Sequence, residues 1–206
     1  INRPTLFALV VDNFGIKYMK EADLDHLICA LRKYYNVSVD LEGKEYVKIE
    51  LDWNYDKGEV HLSMEPYLRK AFHQFDNLVP KKRQDSPYPH IQPNYGTKVQ
   101  LAEYDDSPEV GQEGQTHIQR VNGKFLWYGR AVNPTTLVPL SALASQQSKP
   151  TQNTMKKSQH FLDYMATQEP AVLTYQKSDM ILAVHSDAGY LNEQNARSRA
   201  GGTTFY

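Results

Sequence analysis

The sequence predicts an α+β fold, and three observations carry that prediction. Residues 46–64 alternate apolar and polar side chains around a turn, the period of a β-hairpin. Leu24, Leu27, Ile28, Leu31 and Tyr35 recur at i, i+3, i+4, i+7 and i+11, one face of a helix. Further helical stripes occupy 118–128 and 155–165, and a strand-like apolar stretch follows them. Hairpin, helix, hairpin, helix, loop, helical block and then a new hairpin system is the order of an α+β chain followed by the start of a further unit.

Taken in order, Leu6–Val11 reads as an apolar strand, Asn13, Phe14 and Gly15 supply turn chemistry, and Ile16–Met19 returns as a second strand. Residues Glu21–Tyr35 form the first helix, with acids at its start and Arg32 and Lys33 at its end, as the helix dipole favours. Val47, Ile49, Leu51 and Trp53 make one face of a strand, "YDKG" the turn, and Val60, Leu62 and Met64 the returning strand. Pro66 suits a first helical turn, and Leu68, Ala71, Phe72 and Phe75 make the stripe behind it. From Asp76 to about Gln115 the periodicity dissolves; five of the eleven prolines fall here, and this long loop is the best internal boundary. Ile118, Val121, Phe125 and Tyr128 then share a helical face. Asn133 is a candidate N-cap with Pro134 at the first helical position, while Pro139 is expected to delay or kink that helix. A further helix spans Thr151–Thr167, with Met155, Ser158, Leu162 and Met165 inward. "AVLTYQKSDMILAVHSDAGYL" reads as two strands joined at "KSD", and a polar loop "NEQNARSRAGG" leads to a last strand.

The bulk properties narrow the function classes. A net charge of −1 over 206 residues gives no global basic signature of nucleic-acid binding. No apolar run approaches the ~18–20 residues needed to cross a bilayer, so no membrane partner is expected. The lone cysteine, Cys29, excludes an internal disulfide and suits a reducing compartment, cytoplasmic or nuclear. The seven histidines show no zinc-ligand spacing, and no phosphate-cradling glycine loop or nucleophile elbow is present.

Two acids stand out chemically. Asp12 sits in "LVVDNFG", at the tip of an apolar hairpin, where a carboxylate is held close to solvent and suits a hard cation such as Mg²⁺. Asp and Asn are also ordinary turn formers, and that reading stands beside the first. Asp187, in "AVHSDAGY", is an acid in an apolar strand; it is either paired or metal-bound, or it marks the strand's exposed end. Arg69 and Lys70, with Lys81, Lys82 and Arg83, form a basic cluster that suits phosphate contact, with a solvated face as the plainer reading. The same two readings apply to Arg197 and Arg199. Trp53 and Tyr55 end a hairpin strand, placed for a ligand or for packing.

Four segments, in order, resemble the polyprotein of copia-type LTR retrotransposons where reverse transcriptase runs into ribonuclease H. "LVVDNFGIKY" resembles the polymerase hairpin with its aspartate pair, and "EYVKIELDWNY…GEVHLSMEPYLRKAFHQF" is similar to the primer-grip hairpin and thumb entry. "QRVNGKFLWYGRAVNPTTLVPLSALASQQSKPTQNTMKKSQHFLDYMATQ" resembles the helical connection, and "VLTYQKSDMILAVHSDAGYLNEQNARSRAGGTTFY" the opening strands of ribonuclease H. The resemblance implies a partial palm over 1–66, thumb and connection helices over 67–170 with the proline-rich loop at 76–115, and a truncated ribonuclease H-like start over 171–206. It implies a catalytic, Mg²⁺-binding role for Asp12, a second catalytic position at Asn13, and a ribonuclease H metal ligand at Asp187. The partner it implies is an RNA/DNA primer–template, for which Trp53, Arg69 and Lys70 are the candidate nucleic-acid-binding residues. The implied partners are the remaining palm and fingers and the rest of the ribonuclease H domain.

The departures from that family are equally specific. Asn13 replaces an aspartate and offers a metal only a neutral carbonyl oxygen. Lys124 falls near a helix face that the family keeps small, and Pro139 is foreign to a helix. On this reading the chain is expected to be cut at both ends, to lack most of the catalytic carboxylates and to be inactive by itself. The alternative is a non-catalytic nucleic-acid-binding or protein-interaction remnant of a transposable element. Either way the first and last hairpins are expected to expose strand edges.

Overall fold

A computed structural model describes residues 5–89, Gly96, 105–193 and 197–205. The first strands are β1 (Leu6–Val10) and β2 (Asn13–Lys17), followed by α1 (Glu21–Arg32), β3 (Glu45–Tyr46), β4 (Ile49–Asn54), β5 (Glu59–Ser63) and α2 (Glu65–Gln74). Part of the loop expected over 76–115, residues 90–95 and 97–104, lies outside the described residues; after it come α3 (Gln112–Ala131), a 3-10 turn (Pro134–Thr136), α4 (Leu137–Gln146) and α5 (Gln152–Thr167). The last strands are β6 (Leu173–Gln176), β7 (Ala183–Glu193) and β8 (Arg197–Phe205). The fold is mixed α and β with small antiparallel sheets, ordered β1-β2, β3-β4-β5-β6 and β7-β8.

The core forms where four helices meet one face of the four-stranded sheet. The predicted stripe of α3 is inward throughout: Ile118, Val121, Phe125 and Tyr128 are all buried. Against it pack Leu68 and Ala71 of α2, Leu140 and Leu143 of α4, and Phe161, Leu162 and Met165 of α5. Ile49, Leu62 and Leu173 bring β4, β5 and β6 onto the same cluster. On α5, Ser158 is buried as expected and Met155 half-buried. Thr151 and Thr154 cap that helix reciprocally, each side chain taking the other's backbone N–H.

Pro139 is accommodated by delay. It occupies the third position of α4, where an amide has no intrahelical partner to lose. The residues ahead of it form the 3-10 turn, and Asn133 closes that turn through its carbonyl, which accepts from the Thr136 amide at 3.2 Å and hydroxyl at 2.8 Å. Asn133 therefore caps with its backbone and not with its side chain.

Three strand expectations need correction. The turn of the first hairpin is Val11–Asp12, not 13–15: Val10 faces Asn13, and Asn13, Phe14 and Gly15 are already in β2. The predicted strand over 46–54 is broken by a two-residue turn, Val47–Lys48, between Tyr46 and Ile49, both turn residues having positive φ (53° and 68°). Alternation alone cannot reveal this, since a β-branched residue in the left-handed region runs against propensity. Finally, 173–176 does not pair with 180–187 across "KSD". It pairs with β5, Leu62 opposite Leu173 and Val60 opposite Tyr175, and brackets α2–α5 between β5 and β6. The strand drawn around Asp187 pairs instead with β8, so the stretch 197–205 assigned in part to a loop is a strand.

The Val47–Lys48 turn yields an engineering prediction. Left-handed backbone costs an ordinary residue roughly 1–2 kcal/mol, and Asn-Gly is the pair that fits such turns. The double substitution Val47→Asn, Lys48→Gly is expected to stabilise the chain by about 1 kcal/mol. A denaturant melt with an unchanged or lowered midpoint would refute it.

Polar contacts strap residues 77–86 to α5. The buried Asp163 carboxylate accepts from the Lys81 amide and from Gln159 Nε2, both at 2.9 Å, and Gln159 Nε2 also reaches Asn77 Oδ1 at 2.8 Å. His160 Nε2 meets the Ser86 carbonyl at 2.9 Å. A second clasp holds 105–110 to the start of α5. Asp105 accepts from the Ser107 hydroxyl and the Thr151 hydroxyl, each at 2.6 Å, and Gln152 N donates to Pro108 O at 2.9 Å.

Candidate functional site

Asp12 owes its position to the geometry of its hairpin. The ribbon of β1 and β2 leans on the edge of β3: the Tyr46 hydroxyl donates to Ala8 O at 3.3 Å, and the Tyr46 ring lies 3.3 Å from where a Cβ on Gly15 would stand. Glycine at 15 permits that approach. Phe7 and Phe14 pair their rings at 5.8 Å on the ribbon, yet both remain exposed, and Val11 at the tip is 91% exposed. Asp12 is thus held at a two-residue turn in open solvent, as the sequence suggests.

Asn13 acts on Asp12 directly. Its Nδ2 donates to Asp12 Oδ1 at 2.9 Å, so one carboxylate oxygen is occupied by a neutral neighbour. A two-metal centre requires a set of carboxylates that share two cations. One carboxylate with an amide donor turned towards it does not meet that requirement, so these residues do not fit a pair of Mg²⁺ ions. Among the described residues, no three His, Cys, Asp or Glu side chains are grouped to hold a metal ion.

Asp187 lies elsewhere. It is an exposed residue in β7, opposite Gly201 of β8, and its Oδ1 accepts the amide of Ala188 at 2.8 Å. It does not close a buried strand end. Asp12 and Asp187 belong to two separate ribbons that share no strand pairing.

The candidate nucleic-acid contacts are all exposed. Trp53 is anchored by its Nε1–H to Gly43 O at 2.9 Å and runs parallel to Tyr55, with ring centroids 5.8 Å apart and planes within 5°. Beside it a cavity of about 370 Å³ is lined by Asp52, Trp53, Asn54, Tyr55, Asp56 and His61. Two carboxylates there disfavour a phosphate, so the aromatic pair suits a base or another planar group better than the backbone of a nucleic acid. Arg69 is paired with Glu65 at 2.7 Å one helical turn away, which offsets part of its charge; Lys70 is exposed on the same helix. Lys81 turns its ammonium towards Gln159 Oε1 at 3.3 Å, and Arg83 lies 3.7 Å from Asp85. The basic cluster is therefore partly committed to the protein itself. Lys124 is likewise engaged, over the Tyr67 ring at 5.3 Å, while the Tyr67 hydroxyl donates to the Lys124 carbonyl at 2.9 Å.

Sequence reading missed two polar centres. A cavity of about 500 Å³ between the end of α2 and the start of α3 contains Phe75, His117 and Arg120, with the His117 ring edge-on to Phe75 at 5.7 Å. Burial, with the charges of Lys81 and Arg120, pushes the His117 pKa down, so this imidazole is neutral at pH 7. The other is Asp105. Partial burial pushes its carboxyl upward, but hydrogen bonds from Ser107, Thr151 and Asn153 outweigh that and hold it at about 2. The only sequence sign of this clasp is Thr151-x-x-Thr154, a capping pattern with Thr in the place of the usual Glu.

Among the described residues no helix is long and apolar enough to cross a membrane. No protein-family model, curated protein or solved structure matches the chain.

Proposed function

We propose that this chain is a segment of a retrotransposon reverse transcriptase running into ribonuclease H, without polymerase activity of its own. The observation that carries the reading is the ordered succession of four family-like segments over almost the whole sequence. An acid in the two-residue turn of an apolar hairpin, and a second hairpin followed directly by a helix, support it. Asn13 argues for inactivity: it removes a charge from the position where the family keeps its second aspartate, and it occupies an oxygen of the first.

Primer extension on the purified chain with Mg²⁺ and a primer–template tests this. No incorporation is expected. Incorporation that disappears in Asp12→Ala would overturn the inactivity claim and show that Asp12 alone anchors a working centre.

A second reading, a non-catalytic remnant that binds nucleic acid, is favoured by the exposed, anchored Trp53–Tyr55 pair. Binding to a primer–template duplex is expected to weaken with salt. Neutralising Lys70 is expected to reduce the salt slope by about 1. Trp53→Ala is expected to cost about 1–3 kcal/mol of single-strand binding at any salt. An unchanged affinity in both variants excludes this surface.

A further inference from the structure

We propose that Ser86 is a phosphorylation site for a proline-directed protein kinase, and that its phosphate fastens the strap 77–89 to α5. Ser-Pro occurs twice in the chain, at Ser86–Pro87 and Ser107–Pro108, each preceded by an aspartate. In both, the proline biases the serine towards an extended backbone and leaves no amide donor behind it, which favours an acceptor laid out as a strand across a kinase cleft. The structure separates the two sites. Ser107 is half-buried, and its Oγ is committed on both sides, donating to Asp105 Oδ1 at 2.6 Å and accepting from Asn153 N at 3.2 Å. The Asp105 carboxylate there opposes an incoming phosphoryl group. Ser86 is exposed, in an irregular segment, and its Oγ makes one local bond to Tyr88 O at 2.8 Å.

The surroundings of Ser86 favour the modified form. His160 of α5 meets the Ser86 carbonyl itself, at 2.9 Å. Lys157, one turn earlier on α5, lies over the Tyr88 ring at 5.6 Å. The neighbouring acid, Asp85, faces Arg83 at 3.7 Å. In the transfer, Ser86 Oγ bonds to the γ-phosphorus of a nucleoside triphosphate as the bond from that phosphorus to the β,γ-bridging oxygen breaks. The nucleoside diphosphate leaves, and the hydroxyl proton passes to the kinase's catalytic carboxylate. The product carries close to two negative charges and three acceptor oxygens, on a residue whose carbonyl meets His160 and two positions before Tyr88, which lies under Lys157; the proposal assigns these two side chains as its charge-assisted donors, His160 exchanging the carbonyl for the phosphate.

The test uses the full folded chain, a purified proline-directed kinase and ATP, with sites mapped by mass spectrometry. A single phosphate at Ser86 is expected, lost in Ser86→Ala and retained in Ser107→Ala. Comparable phosphate at Ser107 overturns the proposal. So does an unmodified Ser86, whether or not a synthetic peptide of residues 80–89 is phosphorylated. Hydrogen exchange then reads the consequence: amides of 77–89 are expected to exchange roughly tenfold more slowly after modification. The protection is expected to vanish in the Lys157→Gln, His160→Gln double variant. Exchange unchanged by the phosphate, or protection that persists in that variant, refutes the fastening role.

Discussion

Phe125→Ala is expected to lower the unfolding free energy by about 3–5 kcal/mol, the range for removing a fully buried aromatic ring. Phe125 has no exposed surface and is the hub of the helical core. Its ring meets Phe161 edge-on at 5.3 Å and lies 6.1 Å from both Phe72 and Phe75. Truncation therefore removes contacts to α2 and α5 together, and the surrounding rings cannot all collapse into one gap. Domains are stable by only about 5–15 kcal/mol, so the loss consumes a large part of the total. A control isolates the cause: Phe14→Ala, on the exposed first hairpin, removes the same side chain from a site that is 38% exposed and is expected to cost well under half as much. Equal costs for the two substitutions, in equilibrium denaturant unfolding, would falsify the assignment of the core to the helices.

That contrast also marks what the sequence makes legible. The stripe Ile118, Val121, Phe125, Tyr128 is visible because a helix repeats its buried face within a few residues, and the structure buries every member of it. The first helix is visible for the same reason, although only Leu24 of its stripe is buried. Pairing of β6 with β5 is not visible. Its partners are more than a hundred residues apart, Val60 with Tyr175, and an edge strand carries no local label for its neighbour. The nearest apolar strand, 181–187, is the natural but incorrect choice. The turns fail for another reason. Val47 and Lys48 adopt positive φ with no glycine, asparagine or aspartate between them, so nothing announces that turn; at the first hairpin Val11 takes the positive φ and the chain turns at Val11–Asp12, just ahead of the Asn-Phe-Gly run that suggests the turn. At the candidate site, Asp12 is legible as a carboxylate at a hairpin tip. Its hydrogen bond to Asn13 is a side-chain rotamer matter that no sequence pattern encodes. The Asp105 clasp joins residues 46 positions apart and is hidden in the same way.

The Asp105 clasp is expected to make part of the chain's stability acid-labile in a defined window. The folded carboxyl titrates at about 2, below its ordinary value of 3.8. A depressed folded pKa means that the unfolded chain binds the proton more readily. The clasp's contribution is therefore fully present above about pH 4 and is lost as the pH falls from there through about 2. A shift of this size corresponds to about 2 kcal/mol, and solvent at this half-buried site lowers the expected contribution to about 1–2 kcal/mol. Asp105→Asn keeps the shape and one acceptor oxygen but removes the titrating charge. It is expected to be less stable than the native chain by about 1–2 kcal/mol at pH 6 and nearly equal to it at pH 2. Urea unfolding of both proteins across that range measures the difference directly. A gap that stays constant from pH 6 to pH 2 contradicts the mechanism, because a lost packing or capping contact would produce a constant gap whereas a lost charge cannot. The readout also bears on α5 itself: Thr151 both caps that helix and donates to Asp105, so the acid transition is expected to expose the amides at 152–154 to exchange before the aromatic core opens.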